Sequence, residues 1–84
     1  MDNIFTEHMV KDKVLHTLKS CMRNKNLAES ILNDPNSVGD MEQWHMQCIK
    51  ANANIGVLSY LYECLFYEDV DFESLEKEIV DEQS

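Results

Sequence analysis

Apolar residues in the first third of the chain recur at alternating spacings of four and three: Val14, Leu18, Cys21, Ala28 and Leu32, with Lys25 in the one polar position of the row. This is the repeat of one face of an α-helix, and it predicts an amphipathic helix from about Thr6 to Leu32. Thr6, Asp12, Lys11, Lys13, Lys19, Arg23 and Lys25 suit its solvated flank. Asn24-Lys25-Asn26 could break the segment, with a new helix capped at Asn26 and Glu29 as its partner; we read through it as one helix. Residues Asn33 to Gly39 then gather most of the turn-forming residues, including the only proline, and mark the main loop.

Beyond the loop, Ser37 with Asp40, or Asp40 itself, can cap a second helix. Its row Met41, Trp44, Cys48, Ala51, Ile55, Leu58, Tyr62 and Leu65 holds the three-four alternation without a break. A second apolar row, Ile49, Ala53, Val57, Tyr60 or Leu61, and Cys64, lies on another side of the same helix, so it should meet two neighbours or another subunit. Ala51, Ala53 and Gly56 would let a crossing helix come close, and Gly56 costs about 1 kcal/mol of helix stability relative to Ala. After Glu68, Asp69 or Asp71 can cap a short third helix with Phe72, Leu75 and Ile79 on its apolar face and Val80 beside it.

These elements make the fold all-α: a long antiparallel helical hairpin with a short acidic C-terminal helix. Residues 1–84 form a single helical domain, and the segment 68–84 is left open between helix and flexible tail. Two hairpins with this much apolar surface combine readily as a four-helix bundle, so we expect a homodimer through the central helix. At 84 residues there is little room for both a core and a cleft.

Charge changes this picture. Residues 1–62 carry seven acids and six bases, whereas residues 63–84 carry nine acids and only Lys77, so almost all of the net charge of −9 is a feature of the C-terminal segment. Such a balance repels phosphate backbones and anionic lipid, which disfavours direct nucleic-acid or membrane binding. In a helix, Asp71, Glu73, Glu76, Glu78, Asp81 and Glu82 spread six carboxylates at about one per 3.3 Å, close to the spacing of about 3.4 Å per phosphate along one DNA strand. Glu78, Asp81 and Glu82 also sit at the helix end where negative charge is unfavourable. The segment therefore reads two ways: a solubilising acidic terminus, or a surface that imitates nucleic acid and occupies a basic groove. Tyr67 and Phe72, beside Glu68, Asp69 and Asp71, are the candidate apolar anchors. Tyr60, Tyr62 and Phe66, at helical spacing, read more simply as core.

Catalytic and metal chemistry find little footing. His45 and Cys48 lie three apart and Cys21 could face them across the hairpin, but there is no Cys-x-x-Cys pair and no regularly spaced fourth ligand. Seam cysteines act as small apolar residues. A reactive Cys needs an electropositive setting that an acidic chain does not favour, and no phosphate-cradling glycine loop or calcium loop is present. We expect no enzyme, no cofactor and no metal. Three cysteines without a paired framework, the absence of a basic-then-apolar start after Met1, and the lack of a long apolar run point to a cytoplasmic protein.

In size and in the acidity of Glu68 to Glu82, the chain resembles the small inhibitor proteins that bacteriophages produce early in infection, several of which mimic DNA. The resemblance is one of class, without a shared motif. It implies an inhibitor in the host cytoplasm that blocks a basic DNA- or RNA-binding protein by covering its binding surface. The nearly neutral first half departs from that pattern, and a dimer would double the acidic surface. The alternative is a helical adaptor or structural oligomer that binds its partner through its apolar helix faces.

Overall fold

The structure, a computed structural model, describes residues 7–36 and 39–83. Three helices occupy them, α1 (Glu7–Asn33), α2 (Met41–Phe66) and α3 (Phe72–Gln83), and no strand is present among the described residues. α1 and α2 pack along each other as the expected hairpin, and α3 folds back onto α1 rather than α2. The expected start of α1 at Thr6 and the Ser37 cap lie outside the described residues. α1 runs unbroken through Asn24-Lys25-Asn26, whose side chains are polar but leave the backbone ladder intact.

Each junction is held by local polar chemistry. Asp34 ends α1: its Oδ1 accepts the Asn36 N–H at 2.9 Å, an Asx turn that bends the chain past Pro35. Asp40 caps α2, accepting the Gln43 N–H at 3.2 Å. Asp71, not Asp69, caps α3; it accepts the Ser74 N–H at 3.1 Å and the Ser74 hydroxyl at 2.8 Å. The segment after Glu68 is thus helical over Phe72–Gln83, which closes the choice between helix and tail for those residues.

The C-terminus of α2 is unusual. Tyr67 adopts φ 55° and ψ 34°, the left-handed region, and its N–H reaches back to the Glu63 carbonyl at 2.9 Å. Glycine commonly takes this position because a Cβ is crowded there. The Tyr67 ring is 93% exposed, so the strain is not offset by burial within the protomer. The sharp turn it makes returns the chain towards α1.

All three helices meet in one core. Leu18 and Met22 of α1, Tyr62 of α2, Val70 of the connector, and Leu75 and Ile79 of α3 are buried together. Val14, Leu15, Ile55, Leu58 and Phe66 pack against this cluster. The Tyr62 and Phe66 rings stack at a tilt, 5.0 Å between centroids. Two seam positions differ from the sequence pattern: Leu65 is exposed while Phe66, one residue on, is half-buried, and Met22 rather than Cys21 takes the deeper place on α1. The pattern ties for adjacent residues, and the direction from which α3 approaches breaks the tie.

Because Leu18 and Ile79 are the largest fully buried side chains, Leu18→Ala or Ile79→Ala should each lower unfolding free energy by about 2–5 kcal/mol, read by urea denaturation. Tyr67→Gly should act in the opposite direction, raising stability by about 1 kcal/mol through relief of the left-handed conformation, which a thermal melt would register as a rise of several degrees.

Candidate protein-binding surfaces

Two surfaces stand out, an acidic one on α3 and an apolar one on α2. The acidic residues do not form one free row. Glu82 accepts hydrogen bonds from Arg23 Nη2 at 2.8 Å and Nε at 3.2 Å, and from Lys19 Nζ at 3.3 Å. Glu78 lies 3.6 Å from the same Lys19 ammonium. Leu75 and Ile79 turn one stripe of α3 into the core, and Glu78 and Glu82, three residues beyond each, flank that stripe where α1 presents its bases.

Glu68 pairs with Lys11, whose Nζ also sits 5.7 Å from the centroids of both the Tyr62 and Phe66 rings. The ammonium is thus shared between a carboxylate and two aromatic faces, a cation–π arrangement. Asp71 is committed to its capping role. Of the eight carboxylates offered as a partner-binding row, Glu68, Asp71, Glu78 and Glu82 therefore hold α3 and its connector in place. All eight are exposed, and the side chains of Asp69, Glu73 and Glu76 take part in none of these contacts. Glu76 also borders a shallow hollow with Met22, Lys25, Asn26, Ile55 and Phe72. Of the two proposed anchors, Phe72 is at the edge of exposure on that hollow, and Tyr67 projects fully into solvent.

The electrostatics follow these pairings. The Lys11 ammonium holds the Glu68 carboxyl below its ordinary range, and Glu68 in turn raises Lys11. Arg23, then Lys19, lower Glu82; the Ser74 backbone N–H and then its hydroxyl lower Asp71.

The apolar surface is the second row of α2. Ile49, Val57 and Tyr60 are 61%, 59% and 65% exposed, and Met46, Leu61 and Leu65 are exposed beside them. From Ala51 to Tyr62 α2 carries no charged residue, although Asn52, Ala53, Asn54, Gly56, Val57, Tyr60 and Leu61 are exposed. Of the small residues, only Ala51 is buried in the hairpin. Gly56 is exposed, and a Cβ built on it would meet nothing within 4 Å, so no contact inside the protomer requires glycine there.

Among the described residues, no three His, Cys, Asp or Glu side chains lie close enough to hold a metal ion, so His45, Cys48 and Cys21 are not assembled into a site. Cys48 instead faces Asn52 of its own helix at 4.0 Å. No helix among the described residues is long and apolar enough to cross a membrane.

The depressed carboxyls make the docking of α3 pH-dependent. A group whose folded pKa lies below its unfolded value stabilises the fold above the unfolded pKa and loses that contribution as pH falls through the folded one. Stability should therefore be level near neutrality and decline as pH drops through and below the carboxylate range of about 4. Denaturation midpoints measured along an acid titration should show this, and Glu82→Gln should flatten part of the decline. Raised salt should weaken the same contacts at neutral pH, since all these pairs are solvent-accessible.

Compared with known proteins, the chain matches no family model, no curated protein and no solved structure.

Proposed function

We propose that this chain is a protein-binding module that engages an apolar helical surface through the outer face of α2. The observation that carries the reading is the uncharged stretch from Ala51 to Tyr62, flanked by exposed Ile49 and Leu65, in a protein whose overall charge is −9. A contiguous apolar patch on a small acidic protein is costly to leave in water, and Tyr60 within it is a residue type favoured at binding hot spots. α3 does not cover this face, because Leu75, Ile79, Glu78 and Glu82 are engaged with α1.

The second reading is an acidic inhibitor that covers a basic nucleic-acid-binding surface in the host cytoplasm. It is favoured by the exposed carboxylates of Asp69, Glu73 and Glu76 and by the lopsided charge of residues 63–84. It draws on a shorter acidic row than the sequence offers, since Lys11, Lys19 and Arg23 neutralise three of the carboxylates from within the protomer. The α2 face therefore takes precedence.

The two readings separate in a pull-down with the tagged full chain at low and high salt, from nuclease-treated bacterial lysate in which an untagged copy of the chain is also expressed. Partner recovery should withstand high salt and be abolished by Ile49→Lys or Val57→Glu, while Asn or Gln at Asp69, Glu73 and Glu76 leaves it intact. Recovery that disappears with salt and with the neutralised acids, and is indifferent to Ile49→Lys and Val57→Glu, would transfer the function to the acidic surface.

A further inference from the structure

The α2 face can be assigned an occupant. Resting on the reading of α2 as the binding surface, we propose that the partner is a second copy of this chain, packed antiparallel through the apolar face from Met46 to Leu65 with Ala53 and Gly56 at the crossing point.

Area is the first argument. A compact monomer of 9.8 kDa exposes about 5,200 Å², whereas this chain exposes 6457 Å², roughly 1,250 Å² more. Its radius of gyration is 15.4 Å against about 12 Å for a compact chain of this length. Stable dimers bury about 800 Å² per partner, and obligate homodimers more. The excess surface is of the size that one such interface removes.

Charge is the second argument, and it sets the orientation. Two copies at −9 each repel unless they meet on neutral ground, and the only long neutral stretch of the exposed surface of α2 is Ala51 to Tyr62. Its flanking charges are Lys50 and Glu63, both exposed and in no ion pair among the described residues. A parallel pair would set Lys50 on Lys50, Glu63 on Glu63, and the two acidic segments 63–84 side by side. An antiparallel pair brings the Lys50 end of one face to the Glu63 end of the other and sends the acidic segments apart. A basic partner would gain nothing from this uncharged face.

Shape is the third. In an antiparallel pair centred between Ala53 and Gly56, Ala53 lies level with the partner's Gly56, and Ile49 with the partner's Tyr60. Small residues sit at the point of closest approach and large ones flank it, which is how helices pack at short axial distance. Gly56, without a neighbour inside the protomer, then acquires one. The two-fold axis repeats every contact, as an isologous interface requires.

Sedimentation equilibrium on the full chain, from low to high micromolar concentration, tests this. The wild type should sediment at twice the 9.8 kDa protomer mass. Gly56→Leu and Val57→Glu should each weaken association by roughly tenfold or more. Gly56→Leu is the sharper probe, because Leu favours helix over Gly, so circular dichroism should show helix content kept or increased while the dimer is lost. A wild type that is monomeric throughout overturns self-pairing; if Val57→Glu still abolishes lysate capture, the α2 face survives as the site of a different partner. A dimer untouched by both substitutions also overturns the proposal, and if capture is equally untouched, the α2 reading fails with it.

Discussion

The burial of Leu18 is the contact on which the rest of this structure depends. It sits at the one level of the hairpin where α1 is met both by α2, through Tyr62 and Leu58, and by α3, through Leu75 and Ile79. A chain of 84 residues has few places where three helices can meet, and there the large side chains Leu18 and Ile79 leave water almost entirely. Away from that level the hairpin is two helices thick, and its outer surfaces stay wet. Ala28 and Ala51 are buried further along, where small side chains allow α1 and α2 to come close.

Around this apolar centre, charge determines where α3 lies. Its carboxylates repel one another, and a free α3 would be strained by Glu78, Asp81 and Glu82 at its C-terminal end. Lys19 and Arg23 lie where that end docks, and Lys11 meets Glu68 at the opposite end of the connector. Each pair is solvent-accessible and individually weak, so packing of Leu75 and Ile79 supplies the affinity and the ion pairs supply the direction. The basic character of α1 and the acidic character of α3 are thus two halves of one internal complementarity. The same complementarity leaves α2 outside it: with α3 held on α1, nothing in the protomer shields Ile49, Val57 and Tyr60. An apolar helix face without charge, beside an acidic helix that discourages unspecific association, is a coherent design for a selective protein contact.

Much of this was legible along the chain. The two long helices, the Asn33–Gly39 loop, the cap at Asp40, the pair Asp69 and Asp71 from which the structure selects the third cap, and the two apolar rows of α2 all follow from signals within three or four residues of one another, because helix periodicity and capping are local. Net charge and its concentration after Glu63 were equally plain. By itself, then, the sequence determined an all-helical hairpin, its turn chemistry and an acidic C-terminal segment; the choice between helix and tail over Phe72–Gln83 was closed by the structure, where Leu75 and Ile79 join the core. The tertiary structure alone decided which carboxylates remain available, since Glu82 and Lys19 are 63 residues apart and their meeting depends on α3 folding back beside α1. It also decided that Val70 and Met22 enter the core, that Leu65 yields to Phe66, and that Gly56 faces outward. The physical reason is the same in each case: periodicity specifies that a helix has an apolar side, but only the approach of a neighbouring helix selects which of several adjacent residues that side contains and which face is left uncovered.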